Sequence, residues 1–378
     1  MKTEASGLIH DAATDSDRRK VAFFPSLFQA ASGSIFAGCQ IGTAKQSADS
    51  FLALYRSRDG GNTWSRIKPD LPTRFNGVPG SIGAGAQLAE VSPGRLLLIS
   101  SWVDRLDPAA PMFDLENRKF RPIKQLLAHS EDDGETWSAW REFTIPSLKH
   151  CTSTGPMLTW SDGTLAYPFE AYQGDGTSAM GTHGAWLKIS RDGGETFESP
   201  WLVAQDPENK VLYWDQRLCR GPGPGQFVAL FWVHDQAKKK DLCVRLLRGS
   251  ISDRDHRSGG ALDTGIPGQI AAPVWLSDGR LLAAALDRAT PGTITLWESR
   301  DGGIKWANRL VVYSHVERAK LSQGSENIDF VRYWEDMGKW TFGHPAIIDL
   351  GSGRVLLSYY AGVPNRLNIY WARVNVGP

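Results

Sequence analysis

The sequence predicts an all-β chain, a six-bladed β-propeller of four-stranded antiparallel blades, and three observations lead there. A Ser-x-Asp-x-Gly-x-Thr-Trp box recurs, apolar hairpins recur between the boxes, and the repeat length divides the chain into about six units. The boxes read SRDGGNTW, SEDDGETW, SRDGGETF and SRDGGIKW and begin at Ser57, Ser130, Ser190 and Ser299, at intervals of 73, 60 and 109 residues. Repeats of this period indicate stacked or ring-closed units rather than one irregular domain. The last interval is close to two units, and GSISDRD, with Ser250, Ser252 and Asp253, stands sixty residues after Ser190 as a decayed copy.

Each box follows an alternating run, such as Phe51–Tyr55 or Ala185–Ile189, which places it at the hairpin leaving a strand. There the Asp accepts backbone N–H bonds, the Gly supplies positive φ and the aromatic packs under the next strand. The box is a folding clip, and none of its residues is a site candidate. Between clips lie six hairpins of apolar strand, Gly turn and apolar strand, starting in order at Pro25, Ala86, Gly155, Arg217, Ala272 and His344. The fourth is a Gly/Pro-rich variant whose GPGPG at Gly221 is a stiffened turn and not a phosphate loop. Six inner hairpins with four or five clips match six blades around a channel. The apolar stretch at Leu8-Ile9 is placed to complete the sheet containing Ile369–Val374, so residues 1 to about 20 either close the last blade or are partly disordered. The expectation is one propeller domain over 1–378.

Composition narrows the function classes. Fifteen Trp, fifteen Phe and nine Tyr with 39 Gly and 21 Pro describe aromatic strands and many turns, with little helix. Lys and Arg number 42 against 41 Asp and Glu, which leaves no global field to hold nucleic acid or an anionic membrane. The four cysteines (Cys39, Cys151, Cys219, Cys243) lack the spacing of a zinc site or redox pair and read as small buried hydrophobes. No cofactor is called for. The opening twenty residues contain no apolar core of leader length, and no run approaches a membrane span, so the chain as given reads as soluble and cytoplasmic. It would be secreted or periplasmic if a leader has been removed.

The boxes, the Asp-Gly-Arg or Asp-Gly-Thr hairpins and the Pro25-Ser26 pair of the first blade resemble the sialidase superfamily, over about residues 20 to 375. The resemblance implies a channel mouth holding a cluster of arginines, three of them for the substrate carboxylate, with an Asp acid/base and a Tyr nucleophile beside a Glu. The chain departs from that pattern. Phe23-Phe24-Pro25-Ser26 lacks the first arginine, and the loop after the next strand offers only Gln40 or Lys45 for the second. Asp49 falls where the family's Asp acid/base falls, and Asp215, in Tyr213-Trp214-Asp215-Gln216-Arg217, stands as a shorter carboxylate in the role of the Glu. Phe231–Asp235 replaces another arginine, Arg288 stands where the remaining one is expected, and Phe342-Gly343-His344-Pro345 has no tyrosine. Lysine and glutamine do not reproduce a bidentate arginine fork on a carboxylate, so ordinary sialidase activity is disfavoured.

Three carboxylates near inner-strand ends, Asp49, Glu170 and Asp215, remain as catalytic candidates, since glycosidic hydrolysis usually needs two facing carboxyl groups. Candidates for substrate binding are Arg217, Arg288, His150, His234, His344, Trp214 and Tyr172, with Trp102 and Trp232 as further stacking surfaces. The leading expectation is a glycosidase, a hydrolase acting on a carbohydrate or glycoconjugate other than ordinary sialic acid. The alternatives are a lyase on a uronate glycan, with a His or Tyr base beside Arg217 or Arg288, and a glycan-binding propeller without catalysis.

Overall fold

The computed structural model describes all residues except 15–17, 69, 83–84, 115–118, 147, 174–180, 254–259, 290–291, 316–336 and 378. Its described elements are strands, arranged as six blades of antiparallel sheet. Blade 1 runs outward through Val21–Gln29, Ile35–Gly42, Phe51–Ser57 and Ser65–Arg66. Blade 2 has a split inner strand, Gly80–Ile82 and Gln87–Ser92, followed by Arg95–Asp104, Ile123–Ser130 and Arg141–Phe143. Blade 3 is likewise split, Lys149–Ser153 and Leu158–Thr159, then Leu165–Gln173, Thr182–Ser190 and Trp201–Ala204. Blade 4 is Val211–Arg220, Gln226–Asp235, Arg245–Ser250 and Leu262–Asp263, and blade 5 is Ala271–Trp275, Leu281–Asp287, Thr293–Ser299 and Ala307–Ser314.

Blade 6 takes Phe342–Gly351, Arg354–Val363 and Arg366–Asn375 from the end of the chain and its outer strand, Lys2–His10, from the beginning. Leu8 pairs with Tyr370 and Ser6 with Ala372, while His10 Nδ1 lies 2.7 Å from the Tyr55 hydroxyl of blade 1. The chain termini therefore share one sheet. Deleting residues 1–10 bares the edge of Arg366–Asn375 and should lower the melting temperature by at least ~5 °C; an unchanged melting temperature in calorimetry would contradict this closure.

The central strands of each blade are apolar on both faces because both faces meet neighbouring blades, as in Ile35–Gly42, where every residue is buried. The boxes then fasten the outer hairpins. The Ser57 hydroxyl accepts the Gly61 N–H at 2.9 Å and donates to Asp59 Oδ1 at 2.7 Å, and that oxygen also accepts the N–H groups of Asn62 and Thr63. Ser130/Asp132, Ser190/Asp192 and Ser299/Asp301 repeat the pattern, with Trp64, Trp137, Phe197 and Trp306 packed half-buried beneath. In the fourth blade Ser250 Oγ meets Ser252 Oγ at 2.8 Å and the Asp253 amide donates to the Ser250 carbonyl at 3.1 Å, while the copy beyond Asp253 lies outside the described residues.

Hydrogen bonds from the Thr196 hydroxyl and amide hold the Asp192 carboxyl at about 2, although the residue is exposed. A depressed folded value means that this stabilisation is present above the ordinary Asp range and is lost as pH falls from about 4 toward 2. Asp192→Ala should cost about 1 kcal/mol, as loss of a capping side chain does, and should flatten the acid limb of stability against pH. Activity per folded molecule should survive, and its loss in a folded variant would contradict a purely structural box.

Candidate functional site

Four blades begin their inner strand with the same irregularity. A register shift separates Phe23 from Ser26, Lys149 from Thr152, Trp214 from Arg217 and Gly343 from Ala346. Within these bulges Phe24, His150, Asp215 and His344 take left-handed backbone, with φ of 52°, 53°, 49° and 49°. That conformation costs a non-glycine residue on the order of 1 kcal/mol or more, and such strain concentrates where a bulge re-aims a side chain. Here it turns all four side chains into one cavity of about 150 Å³. The corresponding place in blade 5 holds Gly268 at φ 116°, where a Cβ would lie 2.4 Å from the Leu286 carbonyl oxygen.

Glu170, Tyr172, Trp214, Arg217 and Trp232 complete the cavity together with Gln46, Gln87, Thr152, Thr154, Phe120 and Met337. Phe120 arrives on an insertion between Arg95–Asp104 and Ile123–Ser130 that carries its own two-stranded sheet, Phe113–Asp114 with Lys119–Phe120. Its ring lies 5.0 Å from His150 and 5.8 Å from Tyr172. Opposite, the Phe24 and His344 rings are 4.1 Å apart.

The two carboxyl groups of the cavity have unlike surroundings. One Glu170 oxygen accepts the backbone N–H of Asp215, and the other lies 3.2 Å from Nε2 of the buried His183. Nδ1 of His183 has no partner among the described residues, so the economical tautomer carries its proton on Nε2 and donates it to Glu170. Asp215 pairs with Arg217 (Oδ1 to Nη2, 3.1 Å) and lies 3.9 Å from Nε2 of His344. Burial raises its carboxyl to about 6; Arg217 opposes that rise, and Glu170 adds to it. Arg217 also donates to His344 Nδ1 at 2.8 Å, and its buried Nε has no partner among the described residues. Burial, with Arg217, Arg288 and Lys45 nearby, keeps His344 well below the usual histidine range, so it stays neutral. Burial and Lys149 lower His150, while burial and the Glu170 charge raise Tyr172 far above the ordinary phenol range.

Glu170, Asp215, Arg217, His150, His344, Trp214 and Tyr172 thus meet in one cavity, and Trp232 joins them. Four other candidates, Asp49, Arg288, His234 and Trp102, do not line it. Asp49 accepts from the Thr43 amide and hydroxyl and from the Ser47 hydroxyl, with Arg19 at 3.6 Å, which makes it a clip within its own loop. Burial would raise its carboxyl, but these hydrogen bonds outweigh burial and lower it. Arg288 is 2% exposed and lies behind the wall. Its guanidinium stands 3.8 Å over the Trp340 ring and donates to Gln269, to the Phe342 carbonyl and to the Tyr360 hydroxyl. His234 sits beneath Trp214, stacked at 5.3 Å and paired with Asp241 at 2.9 Å. Trp102 is a core residue whose indole donates to the Thr73 carbonyl. Among the described residues no group of three or more His, Cys, Asp or Glu could hold a metal ion, and no helix is long and apolar enough to cross a membrane.

No protein-family model matches the chain. Over 162 residues it is 28% identical to a sialidase of Bacteroides fragilis, a match covering 39% of this chain and 28% of that relative's length. Among solved structures, a Hadza microbial sialidase superposes with a TM-score of 0.68 at 17% identity, covering 98% of this chain and 68% of the other. An α-L-arabinofuranosidase of Fusarium graminearum does so with 0.65 at 10% identity, covering 99% and 98%. The fold is that of the sialidase-like propellers, a shape shared by a protein named a sialidase and one named an α-L-arabinofuranosidase.

Proposed function

We propose that this chain, which carries the sialidase-superfamily fold, is a glycoside hydrolase acting on a sugar other than ordinary sialic acid. The observation that carries the reading is the Glu170–Asp215 pair. Two carboxyl groups face one cavity, one desolvated with a carboxyl value raised to about 6, the other fixed by two donors. Titratable pairs whose surroundings differ in this way divide acid and base work between them. In this reading protonated Asp215 gives its proton to the glycosidic oxygen as the bond to the sugar breaks. The Glu170 carboxylate, held in place by His183 and by the Asp215 amide, faces the developing positive charge at the anomeric carbon; water then adds to that carbon and gives its proton to the Asp215 carboxylate, which restores the acid. The phenol of Tyr172 and the indoles of Trp214 and Trp232 supply ring contacts.

A panel of aryl glycosides and uronate oligosaccharides tests this reading. New reducing ends without absorbance of an unsaturated uronate support hydrolysis. An unsaturated product would establish a lyase instead, and saturable binding with neither product would establish a lectin-like propeller.

A further inference from the structure

Resting on the hydrolase reading of the same site, we infer that the sugar bound in this cavity is uncharged, with no carboxylate of its own. Among the described lining residues the charged side chains are Glu170, Asp215 and Arg217. The one guanidinium faces Asp215 at 3.1 Å and the neutral His344 at 2.8 Å through the same nitrogen, so above about pH 6, where Asp215 is ionised, its charge is met before any ligand arrives. Two further cations come close but are turned away. The Lys45 ammonium donates to the carbonyls of Met337 and Trp340 and to the Tyr360 hydroxyl, and Arg288 is stacked on Trp340 behind His344. A sugar carboxylate would enter a low-dielectric site opposite two carboxyl groups and one neutralised arginine, where like-charge contacts are least screened.

The rest of the lining suits neutral hydroxyls and C–H faces. Phe24, Phe120, Tyr172, Trp214 and Trp232 offer ring surfaces for the apolar side of a sugar. Gln46, Gln87, Thr152 and Thr154 line the same cavity and carry no charge. Such neutral polar side chains can meet sugar hydroxyls without adding charge.

Tryptophan fluorescence provides a readout that does not depend on turnover, since Trp214 and Trp232 line the cavity. The full chain is titrated at pH 8 with methyl β-D-galactopyranoside, methyl β-D-xylopyranoside and methyl α-L-arabinofuranoside, and in parallel with methyl β-D-glucuronide and N-acetylneuraminate. At least one neutral glycoside should give a saturable change, the acidic sugars should bind at least tenfold more weakly, and Asp215→Asn should narrow that gap by removing a negative charge. Equal or tighter binding of either acidic sugar overturns the inference, as does the absence of binding by all three neutral ones. Neutral binding that never leads to cleavage of the corresponding aryl glycoside leaves this inference standing and defeats the hydrolase reading instead.

Discussion

Asp215→Asn should cut turnover by ~10²–10⁴, the usual worth of a positioned acid, while leaving the propeller folded. Stability supplies the control. The folded carboxyl value of about 6 lies above the ordinary Asp value of 3.8, so the folded state holds this proton more tightly than the unfolded chain. The ionised group therefore subtracts stability progressively as pH rises from about 4 through about 6, by on the order of 3 kcal/mol once both states are ionised. Asparagine mimics the protonated form, and at pH 8 the variant should melt no lower than the parent. A large fall in melting temperature would mean that Asp215 is a structural partner of Arg217 first. An aryl glycoside with a very good leaving group needs little acid assistance, and on it the variant should lose much less.

Glu170→Gln should be equally damaging for a different reason. The amide keeps the size and can still accept from His183 Nε2 or from the Asp215 N–H, but it removes the negative charge that faces the anomeric carbon. Turnover should fall ~10²–10⁴ even on the activated aryl glycoside, which separates this role from that of Asp215. Groups that act together are not additive, so the double variant should be little worse than the poorer single one. Wild-type rates in Glu170→Gln would exclude the carboxylate from the chemistry.

The blades were legible because their signals are local. A box closes on itself within eight residues, and an apolar strand either side of a Gly turn declares a hairpin without help from distant chain. The cavity was legible where a residue sits at the blade-opening position, as His150, Asp215 and His344 do, since the repeat itself marks that place. It was not legible where side-chain direction depends on remote partners. Arg288 follows a blade-5 strand and looks channel-facing, but Trp340, more than fifty residues on, draws its guanidinium behind the wall. Asp49 looked like a free acid, but Thr43 and Ser47 in its own loop satisfy it; the Ser/Thr-rich run around it was the available signal. His183 lies inside an alternating strand, where it is indistinguishable from a core residue until its pairing with Glu170 is seen. Phe120 reaches the cavity only through the blade-2 insertion, which no repeat predicts.

The division of labour between the two carboxyl groups is tested most directly by the pH dependence of kcat/KM on one aryl glycoside with a poor leaving group, measured for the parent and for Asp215→Asn. The parent rate should fall as pH rises through about 6, where the Asp215 proton is lost, and in the variant that alkaline limb should disappear along with most of the rate. A parent profile that rises through pH 6, or a variant that keeps both the limb and the rate, would contradict Asp215 as the acid.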